Sequence, residues 1–202
     1  MVKRGSGPTA EVRQELRRAV TRLPSGLRDH VLRVVQEARG LALLYGVDQG
    51  RIELAALGHD LARAMSPQEL LEAAQAFGLA PDEVERTEPI LLHGPVSARI
   101  MASRYRVDDP EVLAAARHHT TARPGMALLE KLLFLADKIE QGKVREHSAL
   151  AEVRRLARHD PDEAILRYLD LNLARAAEKG WPLHPDSVAA RNELLLRRRP
   201  ES

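Results

Sequence analysis

The pair His59-Asp60 lies inside an apolar run, between Ala55-Ala56-Leu57-Gly58 and Leu61-Ala62. An imidazole and a carboxylate in such a run are costly to bury unless something compensates them, and a bound metal cation is a common strong compensation. One such pair is weak evidence, but similar residues follow along the chain. The complete candidate ligand set is His30, His59, Asp60, His93, His119 and Asp137. This order of histidines and aspartates predicts a metal site.

Helical periodicity indicates which of these side chains face the protein interior. His30 shares a helix face with Val34 and Leu41, and Asp137 follows Leu133 by one turn. A buried, unpaired aspartate would be strongly destabilising or would stay protonated. A role as metal ligand removes both problems.

The remaining histidines divide into two groups. His119 continues the face of Val112 and Ala116, so periodicity favours it over its neighbour His118 as the inward ligand. His93 precedes Gly94-Pro95, where a turn can bring a ligand towards other helices. Three further histidines have no partner pattern and are assigned to exposed or capping positions near helix ends: His147, His159 and His184.

The number of ligands bears on the chemistry. Six protein groups are too many for one ion that must keep a position open for water, so two ions bridged by Asp60 are expected. Paired ions suit the hydrolysis of phosphoesters and phosphoanhydrides. The chain has no cysteine, and a set of histidines and carboxylates fits iron, manganese, cobalt or zinc without choosing among them.

Composition excludes several other classes. The 202 residues are 44% hydrophobic and 30% charged, with a net charge of +2, so charge implies no nucleic-acid partner. The residues Met1 to Pro8 have no apolar core after their basic residues, and no apolar stretch reaches the ~20 residues needed to span a bilayer. We therefore expect a cytoplasmic protein without a membrane partner.

The punctuation of the chain predicts an all-α protein with about nine helices. One of them is expected from about Gln49 to Met65, carrying His59-Asp60. Ser66-Pro67-Gln68-Glu69 has the pattern of a capping box, and Asp109-Pro110 marks another helix start. We predict three segments: an N-terminal helix with a disordered start (1–26), a metal-binding domain (27–145) and C-terminal helices packed on it (146–202).

Longer motifs identify a family resemblance. The segment from Leu91 to Ala98 resembles "LLHG-x-V-x-A", and the segment from His119 to Met126 resembles "HT-x-G-R-x-G-M". The segment from Leu129 to Glu140 resembles "LEK-x-x-x-x-AD-x-IE", and His59 to Arg63 matches "HD-x-A-K" with one conservative change. These motifs are those of the YqeK-type HD proteins, the symmetrical diadenosine tetraphosphate hydrolases of the HD-domain metal-dependent phosphohydrolase superfamily. The matched segments extend from about residue 27 to residue 140.

The resemblance implies an all-α HD-domain helical bundle with an additional C-terminal helical segment. It also implies two bound metal ions, for which iron is the first choice among the metals named above. It implies that a metal-bridging hydroxide cleaves diadenosine tetraphosphate, a small-molecule dinucleoside polyphosphate, into two ADP. The six ligands carry over by position. Asp60, Arg63 and Lys131 are the catalytic candidates, and the substrate-binding candidates are Arg63, Arg123, Lys131 and His118.

Three departures from the family pattern concern packing and substrate contacts. Gly58 stands where the family usually has leucine, and Ala122 replaces a glycine. After Glu140, Gln141-Gly142-Lys143 replaces an expected "P-x-R", so Lys143 stands where an arginine is expected. Two alternatives stay open. One is another HD phosphohydrolase, acting on mononucleotides or cyclic dinucleotides, and the other is a non-catalytic module. A homodimer is compatible with either interpretation.

Overall fold

A computed structural model describes residues 10–198 of the chain, and the secondary structure of this part consists of helices without a strand, as predicted. It contains twelve α-helices and one 3₁₀ helix. The α-helices are α1 Ala10–Val20, α2 Ser25–Tyr45, α3 Gln49–Gly58, α4 Pro67–Ala76, α5 Glu83–Thr87, α6 His93–Arg104, α7 Pro110–His118, α8 Leu128–Ile139, α9 Gln141–Glu146, α10 Leu150–Leu156, α11 Pro161–Lys179 and α12 Pro185–Arg197. The 3₁₀ helix, Pro89–Leu92, directly precedes α6.

The sequence underestimated the number of helices, and the predicted helix from Gln49 to Met65 was too long. Helix α3 ends at Gly58, and a series of tight turns follows. The cause is tertiary: the backbone N–H of Ala62 donates to Ser97 Oγ (3.0 Å) on α6 rather than continuing the α-helical pattern. His59 and Asp60 therefore lie at the end of a helix and not within one.

The predicted helix start signals are confirmed. Ser66 and Glu69 form a reciprocal capping box at α4, and Asp109 accepts hydrogen bonds from the first backbone N–H groups of α7. Gly46 and Gly180 adopt the left-handed conformation that ends α2 and α11.

The core lies among α2, α3, α7 and α8, the same helices that position the candidate ligands. Its largest fully buried side chain is Phe134 on α8, whose ring meets that of Tyr168 on α11 edge-on at 5.4 Å. Ser187, near the start of α12, donates to the carbonyl of Thr121 (2.7 Å), so the C-terminal helices pack on the central bundle. The segment limits at 26 and 145 remain predictions, and residues 1–9 of the first segment lie outside the described residues.

In the described part of the chain, no helix combines the length and apolarity that crossing a membrane requires.

Candidate metal centre

The six candidate ligands converge from five helices. His30 lies in the first half of α2, His59-Asp60 directly follow α3, and His93 begins α6. His119 follows the last residue of α7, and Asp137 lies near the end of α8. All are buried except His30, whose side chain is 14% exposed. Groups separated by up to 107 residues thus meet at one point.

The candidate ligands form two groups of metal donors that share Asp60. The first group, which we call cluster one, consists of His30, His59, Asp60 and Asp137, and Asp60 contributes one of its two oxygens to it. Asp60 Oδ2 lies 3.7 Å from His30 Nε2 and 3.5 Å from His59 Nε2. His30 Nε2 lies 3.1 Å from Asp137 Oδ1. Donors this close surround a space of the size that one ion needs.

The other oxygen of Asp60 belongs to cluster two, which consists of Asp60, His93 and His119. Asp60 Oδ1 lies 3.2 Å from His93 Nε2 and 3.5 Å from His119 Nε2. The two Nε2 atoms are 3.0 Å apart, and the hydroxyl of Thr120 lies 3.2 and 3.1 Å from them. Asp60 therefore has one oxygen on each cluster, as a bridging carboxylate requires.

The hydrogen bonds of the imidazole rings determine which ring nitrogen is available to bind a metal. Nδ1 of His59 donates to the carbonyl of residue 56 (2.7 Å), Nδ1 of His119 to that of residue 116 (2.8 Å), and Nδ1 of His93 to that of residue 90. Burial lowers the pKa of His59 and lowers that of His119 to about 4, which keeps both rings neutral at pH 7. The unprotonated Nε2 atoms consequently face into the clusters.

These residues fit metal ions. Two Nε2 lone pairs that face each other at 3.0 Å repel unless a cation lies between them. His59 Nε2 and Asp60 Oδ1 are buried with no hydrogen-bond partner in the described part of the protein. Ligand atoms about 2.1 Å from one ion lie about 3.0–3.4 Å apart, close to the separations seen here. A cation in each cluster satisfies all of these groups.

Two lysines adjoin Asp137. Its Oδ2 accepts from the buried Lys138 (2.7 Å) and its Oδ1 from Lys143 (2.8 Å). Burial opposes ionisation of Asp137, but the two ammonium groups outweigh it and hold the pKa of the carboxyl well below its usual range. Lys138 also lies over the rings of Phe134 and Tyr168, 5.2 and 5.7 Å from their centroids. Asp137 is thus a carboxylate, the form that binds metal.

The clusters open into a cavity of about 480 Å³. Besides the ligands, its polar lining includes Arg63, Thr120, Lys138 and Lys143. Arg63 is exposed, and within residues 10–198 its guanidinium has no ion pair. Of the four predicted substrate-binding residues, Arg63 is the one that the structure brings to this cavity.

The structure does not bring the other three to the cavity. Arg123 forms a bidentate pair with Glu130 (2.6 and 2.9 Å), and Lys131 pairs with Asp162 (2.5 Å). In the loop that carries Arg123, Ala122 has a φ of 60° and the carbonyl of Thr121 accepts a hydrogen bond from Ser187 of α12.

His118 also lies outside the cavity, in a separate cleft that it shares with His184. His184 caps α12, as a capping assignment allowed, but its side chain is largely buried, with Nε2 3.6 Å from Asp82 and 3.8 Å from Glu85. Its Nδ1 accepts from the backbone N–H of Asp186 (3.2 Å), so in the neutral ring Nε2 carries the proton and cannot bind a metal. The His-Pro-Asp sequence could have indicated the cap, but no local signal indicated the two distant carboxylates.

Comparison with known proteins places this geometry among relatives. The sequence profile of the HD domain matches residues 27–142, which include all six candidate ligands. The symmetrical bis(5'-nucleosyl)-tetraphosphatase of Halalkalibacterium halodurans is 37% identical over 167 residues, which cover 83% of this chain and 88% of that protein. The protein of the same name from Bacillus subtilis is 34% identical over 166 residues, covering 82% and 88%.

A solved structure agrees with the sequence relatives. The crystal structure of a Clostridium acetobutylicum protein, described as an HD superfamily hydrolase involved in NAD metabolism, superposes with a TM-score of 0.87 at 31% sequence identity. The alignment covers 92% of this chain and 97% of that one, so the C-terminal helices are part of the shared fold.

Proposed function

The chain belongs to the HD-domain family, and from that premise we propose that it is a metal-dependent hydrolase that cleaves diadenosine tetraphosphate symmetrically into two ADP. The observation that carries the proposal is the double cluster around Asp60, in which one carboxylate serves two groups of histidines. Curated relatives named for this reaction match over most of their length. A simple one-metal site would need neither His93 nor His119.

The residues that would hold the metals follow from the two clusters. We propose that His30, His59, Asp60 and Asp137 hold one divalent ion, and that Asp60, His93 and His119 hold the other. When bound, the ions supply an activated water and neutralise negative charge on the polyphosphate. We propose iron as the native metal, which the neutral imidazole and carboxylate donors suit as they suit manganese, cobalt or zinc.

The cations of the cavity would bind the tetraphosphate. Arg63 presents an exposed guanidinium, which pairs with phosphate oxygens in a bidentate manner. Lys143 holds its ammonium group at Asp137 and is 34% exposed, so it reaches both the ligand and the open cavity. Arg123 and Lys131 are engaged by acidic partners outside the cavity, so we propose that Lys143 joins Arg63 in binding the phosphates.

The reaction proposed is a displacement at one of the two central phosphorus atoms. The oxygen of water bonds to that phosphorus while the bond from it to the oxygen shared with the other central phosphorus breaks. The water oxygen becomes a terminal phosphate oxygen of one ADP, the shared oxygen stays with the other ADP, and the protons released from water pass to solvent. Arg63 and Lys143 would hold the chain of phosphates so that a central unit lies over Asp60. Thr120, whose hydroxyl lies beside both cluster-two histidines, would orient the group that enters there.

The cellular setting is also a proposal. We propose that the protein acts in the cytoplasm. Assembly as a homodimer has one structural support: Leu43 and Leu44 on α2 are 78% and 53% exposed. Light scattering on the purified protein measures the state directly.

The test is product analysis with diadenosine tetraphosphate. Metal-loaded protein should give ADP as the sole product, and Asp60→Ala should abolish turnover. His159→Ala is the matched control because His159 is exposed and outside both clusters. ATP plus AMP would overturn the symmetrical reaction. Turnover of mononucleotides or cyclic dinucleotides alone would move the chain to another HD phosphohydrolase activity.

A further inference from the structure

The four histidines of the metal centre are not oriented in the same way. In three of them, His59, His93 and His119, the ring donates its Nδ1–H to the backbone carbonyl three residues earlier. His30 lies within α2, where the carbonyls of the preceding turn are already engaged by the helix. Its Nδ1 instead faces a carboxylate: Glu140 Oε1 lies 3.4 Å away, across 110 residues of sequence.

Glu140 is held rigidly and in its charged form. It is 1% exposed and accepts from Arg33 Nε (2.5 Å) and from the backbone N–H groups of Gly142 (2.6 Å) and Lys143 (3.2 Å). Burial opposes ionisation, but Arg33 and these N–H groups outweigh it and keep the pKa of Glu140 below its usual range. A fixed negative charge thus lies behind the imidazole, on the side away from cluster one.

We propose that Glu140 is a positioning residue for the metal of cluster one, which orients His30 so that Nε2 faces the ion and makes that nitrogen a stronger donor. A carboxylate behind a histidine ligand fixes its tautomer and raises its basicity more than a neutral carbonyl does. The two sites are therefore unequal: in cluster one a buried carboxylate orients a histidine, whereas backbone carbonyls orient both histidines of cluster two. The inference rests on the two-metal centre of the proposed function.

A purely structural role for Glu140 is the competing explanation, because it also caps α9. The chain offers a matched control in Glu130, which is 2% exposed, pairs with Arg123 and accepts from the backbone N–H of residue 127 (3.0 Å). Glu130 therefore has a similar burial, an arginine partner and a capping role at α8, but no contact with a metal ligand. Any effect shared by both variants is structural.

The experiment is a titration of metal-free protein with Mn²⁺, followed by electron paramagnetic resonance of the free ion. Wild type should bind two equivalents. Glu140→Gln should weaken one equivalent by ~10–100-fold and leave the other unchanged, since loss of an outer-sphere partner of a ligand has effects of that size. Glu130→Gln should leave both unchanged, although both variants lose thermal stability.

The outcomes separate the inference from the function beneath it. Fewer than two ions in wild type would count against the metal centre itself. Two ions in wild type and an unchanged Glu140→Gln would overturn the positioning role, as would equal weakening of both ions. If Glu140→Gln does not fold, Arg33→Gln removes only the guanidinium that holds the carboxylate. Arg33→Gln should weaken the binding of one of the two Mn²⁺ equivalents, by a smaller factor than that expected for Glu140→Gln. Unchanged binding of both equivalents would again overturn the inference.

Discussion

Replacement of Asp60 by asparagine tests the bridging role of this residue through stability rather than activity. Asp60 places one oxygen 3.5–3.7 Å from the cluster-one imidazoles and the other 3.2–3.5 Å from those of cluster two. An amide keeps the shape of the side chain, but it is neutral and has only one oxygen. Asp60→Asn should therefore weaken both ions at once, which no other single ligand substitution is expected to do.

The size of the effect follows from binding linkage. At a free metal concentration 100 times Kd, one site stabilises the folded state by about 2.7 kcal/mol, and two independent sites by about 5.4 kcal/mol. In a chain of about this length 1 kcal/mol corresponds to a Tm change of about 2–4 °C, so metal should raise the Tm of wild type by about 10–20 °C. If substitution raises each Kd about 100-fold, each site contributes only about 0.4 kcal/mol, and the shift falls below about 4 °C.

Thermal unfolding with a chelator and then with Mn²⁺ measures this difference, because each variant serves as its own metal-free reference. Asp109→Asn is the control: it makes the same chemical change at a residue that pairs with Arg51 outside the cavity, and asparagine still caps a helix. It should lower the Tm but keep the whole metal-induced shift. A full shift in Asp60→Asn would refute the bridging arrangement, and a shift reduced by half would mean that Asp60 serves one ion only.

Three further predictions concern the frame around the site. An added Cβ at Gly58 would overlap the side chain of the fully buried Met101, so Gly58→Ala should lower the free energy of unfolding, measured in urea, by about 1–3 kcal/mol. If the losses caused by Gly58→Ala and Met101→Ala simply add in the double variant, this contact is contradicted. Ala122→Val places a β-branched side chain at a buried position whose backbone φ is 60°, and it should lower the free energy of unfolding by about 2–3 kcal/mol. An unchanged urea midpoint would show that the loop adjusts to the larger side chain. The hydrogen bond from Arg51 holds the pKa of Asp109 below its usual range. This pair therefore stabilises the fold above the pKa of the unfolded state, and the contribution is lost as pH falls through the lower pKa of the folded state. Wild type should therefore lose more unfolding free energy than Asp109→Asn below about pH 4, and parallel pH profiles would count against the pair.

The convergence of the six candidate ligands could be predicted from sequence, whereas the positions of most of the candidate substrate-binding cations could not. A histidine or aspartate on an apolar helix face has few explanations, so local context was enough to choose His119 over His118. Surface cations have many explanations. Arg123 follows a ligand by four residues, as a substrate contact would, but the left-handed turn at Ala122 and the buried partner Glu130 direct it elsewhere. Residue 122, where the family has glycine, signalled an unusual backbone angle, but no local pattern indicated that Arg123 would pair with Glu130.

The ends of the helices connect the fold to the chemistry. The last carbonyls of a helix have no partner within it and must be satisfied by other groups. At the ends of α3 and α7, His59 and His119 supply that partner through Nδ1, and the same bond turns Nε2 towards Asp60, where we propose that the metals bind. Extension of α3 past Gly58, as the sequence suggested, would give those carbonyls to backbone N–H groups and leave the imidazole without its orientation. The Ser97 hydroxyl, which accepts a hydrogen bond from the N–H of Ala62, thus helps to end α3 at the position from which His59 can orient its ring towards Asp60.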